Sequence, residues 1–286
     1  MAATRGTGGR PDLCLFTKHL PQMNYTQMAQ ALKQWGFDGA DLTVRPKGHV
    51  LPENAARDLP EAHAALDAAG VKLPMITTGL TSLQDPAARP TLYTAAELGV
   101  PFFKLGYYRM RDLSKMLPTL EQVKQDVDGL AGLAAHAKIT GGFHNHSGPY
   151  VGSAVWDTDR LLEDVDPTSI GFYFDPCHAT IEGGSAGWEM AFELVKPRIH
   201  MVACKDFVWE RSGGEWRVKM CPLGEGMVDY PRFFELLAGS GFSGPISLHV
   251  EYEIEAPTEA AKHAKEAAAI ERDFAYLRTQ VERAFG

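Results

Sequence analysis

The chain repeats one local pattern at intervals of roughly 30 residues: a helical segment, a glycine, and then a short apolar strand. The glycines of this pattern include Gly36, Gly70, Gly99 and Gly241. A glycine directly after a helix is a C-cap signal, because glycine enters the left-handed backbone region without a steric penalty. Helices that alternate in this way with short apolar strands predict a parallel sheet built from β/α units.

The pattern predicts eight strands, which start near Leu13, Ala40, Leu73, Phe102, Ile139, Ile170, Ile199 and Ile246. Eight strand–helix units in about 250 residues is the size of a closed (β/α)8 barrel, the TIM barrel. The alternative, a doubly wound open sheet, normally carries a G-x-G-x-x-G phosphate loop, and the sequence has none. We therefore predict one α/β domain, a (β/α)8 TIM barrel over residues 12–286, behind a flexible leader at residues 1–11.

Two further elements are predicted beyond the eight units. Residues 207–218 contain two short strand-like segments around Gly213-Gly214, which is typical of a β-hairpin inserted after strand seven. Its tryptophans, Trp209 and Trp216, make the hairpin a candidate lid or contact between copies of the chain. Residues 258–285 are rich in Ala, Glu and Lys and predict a long C-terminal helix on the outside of the barrel.

Composition excludes several classes of function. The formal charge of −8 argues against a protein that binds a nucleic-acid backbone, which needs a basic surface. The four cysteines are widely spaced without a C-x-x-C, so neither a disulfide framework nor a zinc ribbon is indicated, and the cytoplasm is the simplest location. A trimmed native N-terminus would leave that location open. No apolar run approaches the roughly 20 residues that span a bilayer, so we expect no membrane partner.

The fifth predicted strand runs directly into Gly142-Phe143-His144-Asn145-His146. Strand side chains alternate between two faces, so His144 and His146 are expected to point to the same side. Two imidazoles on one face suit a metal site or a proton-transfer site. The alternative is a polar strand end whose histidines meet water.

In a TIM barrel the active site lies at the C-terminal ends of the strands. All eight predicted strand ends of this chain carry polar side chains. Ionisable groups that face one cavity are costly unless they are paired or bind a metal, which predicts a divalent cation. A mixed imidazole and carboxylate set suits Mn, Zn, Co or Fe better than Mg. No nucleotide cofactor is expected, because the phosphate loop is missing. The strand-end residues are Lys18, His19, Asp41, Thr43, Arg45, His49, Thr77, Thr78, Lys104, Tyr107, Tyr108, Arg109, His144, His146, Asp175, His178, Lys205, Asp206, His249, Glu251 and Glu253.

Structural interpretations stay open for several of these residues. Asp175 and Glu251 could be helix N-caps or surface acids, and His178 could cap the turn that follows its strand. His249 could be a hydrogen-bonded core histidine. Lys205 is either a pocket lysine or one whose head group reaches solvent.

With these motifs in their observed order, the chain resembles the sugar phosphate isomerase/epimerase superfamily, also called the xylose isomerase-like TIM barrel. Residues 175–178 are similar to its strand-six Asp-x-x-His, and residues 204–206 to the end of its strand-seven His-x-Lys-Asp. Residues 247–253 are similar to its last strand, which ends in a metal-binding Glu, and residues 41–50 to a second-strand signature of one branch.

The resemblance implies a divalent metal held by Glu, Asp, His and Glu on strands five to eight. Asp175 and Glu251 match two of these positions. The chain departs at the other two, with His144 in place of the first Glu and Ala203 in place of the His. We therefore predict metal ligands at His144, His146, Asp175 and Glu251.

The resemblance also implies the chemistry, a metal-assisted isomerisation or epimerisation of a sugar, keto-sugar or sugar phosphate by acid/base proton transfer. The predicted catalytic residues are Glu251, His146 and Lys205. The predicted partners are a small carbohydrate and further copies of the chain in a dimer or tetramer. The predicted substrate-binding residues are His178, Arg45, His49, Lys104, Tyr107, Arg109 and Trp156.

Three other functions stay open at this point. A Glu and His pair also suits a lyase or hydratase that acts on a keto-glycoside. A sugar-binding barrel without turnover is a second alternative, because a fold does not imply a function. An endonuclease IV-like DNA repair enzyme is the third, and the acidic net charge counts against it.

Overall fold

The structure is a computed structural model that describes residues 9–286; residues 1–8 of the predicted leader lie outside the described part. Eight parallel strands close into a barrel, which confirms the predicted (β/α)8 architecture. The barrel strands are β1 (Leu13–Phe16), β2 (Gly39–Val44), β3 (Lys72–Thr78), β4 (Phe102–Lys104), β5 (Thr140–His144), β6 (Ile170–Phe174), β7 (Ile199–Cys204) and β10 (Ile246–Leu248). Around the barrel they lie in the order β1-β10-β7-β6-β5-β4-β3-β2.

Helices on the outside of the barrel bury an apolar layer against the strands. Among the described residues, no helix is both long enough and apolar enough to cross a bilayer. The predicted C-terminal helix is present, and the Thr258 side chain caps its first turn. The helices are α1 (Tyr25–Trp35), α2 (Ala55–Ala68), α3 (Ala88–Glu97), α4 (Met116–Ala137), α5 (Val155–Leu161), α6 (Pro176–Val195), α7 (Tyr230–Gly239) and α8 (Glu259–Phe285).

The glycine punctuation of the sequence marks helix ends as predicted. Gly36 ends α1 with φ of 85°, and its N–H donates to the carbonyls of Leu32 and Lys33. A residue with a Cβ is strained in that region of the backbone, which explains why a glycine stands there. The end of α4 departs from the pattern, because Lys138 takes the left-handed position with φ of 61°.

The interior of the barrel is filled by side chains at its lower end and is polar at its C-terminal mouth. Met75, Tyr173, Met201 and Ala203 form a buried apolar cluster inside the strands. A Cβ at Gly142 would collide with Met201, so Met201 fills the interior at this level, and the next inward side chain of β5 is His144. Inward residues further along the strands therefore face the mouth.

The predicted hairpin is present as β8 (Asp206–Ser212) and β9 (Glu215–Cys221), which pair antiparallel directly after β7. The buried carboxylate of Asp206 fixes its root by accepting the backbone N–H groups of Phe207, Gly224, Gly226 and Val228. The roles proposed for the hairpin, a lid or a contact between copies, stay predictions.

Candidate active site

Three neighbouring strands bring two carboxylates and one lysine together at the mouth. Asp175 follows β6, Lys205 follows β7 and Glu251 follows β10. Because β7 lies between β6 and β10 in the barrel, the lysine lies between the two acids. Its Nζ is 2.9 Å from Asp175 Oδ2 and 3.9 Å from Glu251 Oε2, and the side chain of Lys205 is only 2% exposed. We call Asp175, Lys205 and Glu251 the charged row.

Each member of the charged row is held in its ionised form by the others. The Lys205 ammonium lowers the pKa of Glu251 far below its usual value. Burial alone would raise the pKa of Asp175, but the Lys205 ammonium holds it well below its usual range. Burial alone would lower the pKa of Lys205, but Asp175 and Glu251 raise it. At neutral pH the row therefore contains two carboxylates and one ammonium.

The carboxylate of Asp175 both caps a helix and faces the site. Its Oδ1 accepts the backbone N–H of His178 at 3.0 Å and so caps α6, while its Oδ2 faces Lys205. The side-chain amide of Asn145 holds the backbone of Asp175 from both sides, by accepting its N–H at 2.8 Å and donating to its carbonyl at 2.9 Å. The position of this carboxylate is therefore fixed by α6 and by the loop after β5.

Three histidines gather beside Asp175. His144 Nε2 is 3.2 Å from Asp175 Oδ2, and His144 Nδ1 is 3.0 Å from the Tyr107 hydroxyl. His178 Nδ1 bonds to the Ser147 hydroxyl at 2.8 Å. The ring of His146 lies against that of His178, with centroids 3.9 Å apart. Burial holds the pKa of His144 and of His178 well below the usual value, so both rings are neutral at neutral pH.

The donor set at this place fits a divalent ion. Ligand atoms of His144, Asp175 and His178 all lie within 4.8 Å of one another. Within the described residues His178 Nε2 is buried without a hydrogen-bond partner, and it lies 3.8 Å from Asp175 Oδ2, an arrangement that a shared cation would satisfy. Two imidazole nitrogens and one carboxylate oxygen suit a first-row transition metal.

This cluster overlaps only partly with the ligands predicted from the sequence. His144 and Asp175 belong to it, and His178, predicted as a substrate-binding residue, is its third member. His146 lies outside it, with Nδ1 2.9 Å from the carbonyl of Ser147. Glu251 is also outside, because its carboxylate faces the ammonium groups of Lys18 and Lys205.

A second polar network lies deeper inside the barrel. The buried carboxylate of Asp41 accepts hydrogen bonds from Thr77 Oγ1 at 2.6 Å, Ser247 Oγ at 2.8 Å and the Tyr173 hydroxyl at 3.0 Å. His249 Nε2 is 3.0 Å from the same hydroxyl. The Nδ1 atom of His249 is buried, has no hydrogen-bond partner among residues 9–286 and lies 3.8 Å from Glu251 Oε1. His249 is thus only half satisfied as a core histidine, and it lies between this network and the charged row.

Two cations on the other side of the mouth have no acidic partner. Lys104 is buried, and its Nζ lies 3.3 Å from the centroid of the Tyr107 ring. Burial and then the Arg45 guanidinium lower the pKa of Lys104. Arg45 lies over the Phe16 ring, and its buried Nε has no hydrogen-bond partner in the part of the chain that the structure describes. Within residues 9–286 neither cation has a carboxylate within 4.0 Å.

The remaining predicted substrate residues lie further from the charged row. Both ring nitrogens of His49 are occupied, by Thr43 Oγ1 and by the carbonyl of Leu20, so His49 fixes a loop. Arg109 is exposed and stacks on the Tyr150 ring. Trp156, on α5, is 50% exposed.

The sequence analysis missed four residues of the site. Asn145 and Ser147 flank the second histidine of the motif and each bonds a site residue. Tyr173 and Ser247 bond to Asp41. Strand alternation carried a signal for Tyr173, because it lies two residues before Asp175 and so points to the same face.

A family model described as xylose isomerase-like TIM barrel matches residues 29–279 of the chain. No sequence relative is found among curated proteins. Many solved structures have the same fold.

Three of these structures are two sugar epimerases and one protein in complex with magnesium. D-psicose 3-epimerase with D-tagatose from Clostridium cellulolyticum H10 matches with a TM-score of 0.71 and 14% identity, over 94% of this chain and 99% of that one. The 3-keto-D-glucoside 4-epimerase of E. coli matches with a TM-score of 0.68 and 15% identity, over 94% of this chain and 100% of that one. A xylose isomerase-like TIM barrel protein from Mycobacterium smegmatis in complex with magnesium matches with a TM-score of 0.66 and 16% identity, over 97% of this chain and 98% of that one.

Proposed function

Because the chain belongs to the xylose isomerase-like TIM barrel family, we propose that it is a sugar isomerase or epimerase that moves a proton on a carbon next to a carbonyl. The observation that carries the proposal is the charged row of Asp175, Lys205 and Glu251. It places a carboxylate that can take a proton beside an ammonium that can stabilise the resulting oxyanion.

Glu251 is the proposed base. Its side chain is 23% exposed, so a substrate at the mouth can reach it, and Lys205 and Lys18 keep it ionised. A carboxylate removes a proton only from a carbon that a neighbouring carbonyl acidifies, which is the situation in a keto-sugar. His249 lies beneath Glu251 and limits where the carboxylate can move.

Lys205 and His146 complete the proposed proton transfer. The Lys205 ammonium has three N–H donors and is held between two carboxylates, so it is oriented before the substrate arrives. His146 is half-buried, and burial lowers its pKa. This favours the neutral ring, which is the form that can accept a proton. We assign His146 the transfer at a second position of the substrate.

His144, Asp175 and His178 are the proposed holders of a divalent cation, with Mn, Zn, Co or Fe favoured over Mg by the two imidazoles. Such a cation supplies Lewis-acid polarisation of a substrate oxygen. His146 and Glu251 were also predicted as metal ligands from the sequence, and here we assign them proton transfer instead.

The unpaired cations indicate an anionic substituent on the substrate. We expect Arg45→Gln to raise KM for an acidic or phosphorylated keto-sugar about tenfold or more, because one charge-assisted contact is lost. KM for the matched neutral keto-sugar should change less than about twofold. Steady-state kinetics on such a pair measures this, and equal changes for both sugars would contradict the assignment.

A lyase or hydratase that acts on a keto-glycoside uses the same first step, because elimination also begins with removal of a proton next to a carbonyl. The two functions differ in the fate of the oxyanion, which either regains a proton or expels a leaving group. A barrel that binds sugars without turnover, the remaining alternative, has no need of a buried row of ionised groups.

A product screen tests the proposed function. The protein is incubated with neutral, acidic and phosphorylated ketoses and with 3-keto-glycosides, with Mn²⁺ present, and the mixtures are followed by NMR. We expect an isomer or epimer at constant mass. A product that has lost water or an aglycone would assign the chain to the lyases, and no conversion of any substrate would contradict an enzymatic role.

A further inference from the structure

One carboxylate oxygen of the site is approached by nitrogen atoms of three side chains. Asp175 Oδ2 lies 2.9 Å from Lys205 Nζ, 3.2 Å from His144 Nε2 and 3.8 Å from His178 Nε2. The other carboxylate oxygen, Oδ1, accepts the N–H that begins α6. A cation bound by His144, Asp175 and His178 must therefore use the oxygen that the Lys205 ammonium already contacts.

We propose that Lys205 competes with the divalent cation for Asp175 Oδ2 and thereby sets the metal affinity of the site. The inference rests on the metal-binding part of the proposed function and adds its regulation. An ammonium and a divalent cation that share one oxygen repel each other strongly, and burial leaves little water to screen them.

The fold gives Lys205 a second partner. Glu251 Oε2 is 3.9 Å from its Nζ, on the side away from Asp175. The other cation at Glu251 is Lys18, which is 47% exposed and can turn into solvent. Lys205 can therefore leave Asp175 for Glu251 without becoming an unpaired buried charge. Two arrangements follow: Lys205 pairs with Asp175 when the metal is absent, and with Glu251 when the metal is bound.

The inference links metal binding to the proposed base. When Lys205 moves to Glu251, the carboxylate that takes the proton gains a close ammonium, and the oxyanion contact near Asp175 passes to the metal. The site thus holds a cation beside Asp175 in either arrangement. This explains how a chain with Ala203 at an inward position of β7 can keep a cationic centre there.

Removing the charge of Lys205 tests the competition. The chain is stripped of metal with a chelator, dialysed, and titrated with Mn²⁺ alone by isothermal calorimetry. Repulsion between a single and a double charge at a separation of about 5 Å predicts that Lys205→Met binds Mn²⁺ at least about tenfold more tightly than the parent, even at the dielectric constant of water.

Two control variants make the result specific. Lys205→Arg keeps the positive charge and should not bind Mn²⁺ more tightly than the parent. Lys72→Met removes another lysine charge, one that pairs with Asp12 at the first residue of β3, the end of the strand away from the mouth, and should gain less than about threefold. Thermal unfolding checks the fold of each variant, and Lys205→Gln replaces Lys205→Met if the latter does not fold.

The inference is overturned if Lys205→Met and Lys205→Gln bind Mn²⁺ no more tightly than the parent, if Lys72→Met gains as much, or if no variant binds the ion. The titration contains no sugar, so its result is separate from turnover. Tighter binding in a chain that converts no substrate would remove the proposed function and leave the competition in place. Turnover of a sugar without a gain in Mn²⁺ affinity in the Lys205 variants would remove the competition and leave the proposed function in place.

Discussion

Glu251→Gln lowers kcat by about two to four orders of magnitude in the mechanism proposed here, which is the usual contribution of a positioned general base. Glutamine keeps the size of the side chain and its contacts with Lys18 and Lys205, but it cannot accept a proton at neutral pH. The loss should therefore appear in kcat, with KM changed less. Steady-state kinetics on the substrate found in the product screen measures both.

Glu253→Gln is the matched control for this variant. Glu253 is an exposed carboxylate two residues further along the same segment, without an ion pair within the described residues. We expect its kcat to stay within about twofold of the parent. A Glu251→Gln protein that keeps more than about a tenth of the parent rate, or a Glu253→Gln protein that loses as much, would show that the base lies elsewhere.

Asp175→Asn should destabilise the fold by about 1.5–3 kcal/mol, the net contribution of a hydrogen bond to a charged group. Lys205 loses the closer of its two carboxylates and keeps Glu251, which is 3.9 Å away. The asparagine oxygen can still accept the N–H of His178 and cap α6, so the loss reports the ion pair and not the cap. Urea unfolding followed by circular dichroism gives the difference in free energy of unfolding.

Asp229→Asn separates the cap from the charge in this experiment. Asp229 caps α7 by accepting the N–H of Arg232 at 3.0 Å, and its side chain is exposed. We expect a change below about 0.5 kcal/mol, because asparagine is as good an N-cap as aspartate. A loss at Asp175 no larger than that at Asp229 would mean that the contact between Asp175 and Lys205 contributes little.

The barrel itself was predictable because its signals are local. Helix, glycine and strand repeat along the chain, and each unit needs only its neighbours to close a parallel barrel. The side chains that reach the mouth were predictable as well, because strand alternation assigns every second residue to the interior. Asp175, Lys205 and Glu251 were predicted as residues at strand ends, and the family resemblance also indicated Asp175 and Glu251.

The contacts between those side chains were not predictable, because they depend on distances across the barrel. His178 illustrates the limit: it lies in the first turn of α6, which Asp175 caps, and this turn brings its ring back over Asp175. His146 illustrates the opposite case. Alternation was extended to it from His144, but β5 ends at His144, and the chain beyond has no strand geometry to fix its direction.

The network around Asp41 shows a second limit. Tyr173 is 132 positions away from Asp41 in the sequence, and Ser247 is 206 positions away. Nothing local in the chain couples them, and each reads alone as an ordinary strand residue. Only closure of the barrel brings the three side chains together and places His249 between them and Glu251.

Solvent exchange tests the central claim, that this site transfers a proton next to a carbonyl, more directly than any other measurement. The protein is incubated in D₂O with the keto-sugar that it converts, and deuterium at the carbon beside the carbonyl is followed by NMR. If Glu251 is the base, deuterium enters that carbon with the wild-type chain, and it enters at least about a hundredfold more slowly with Glu251→Gln. Conversion without deuterium in substrate or product, or equal exchange by both proteins, would contradict it.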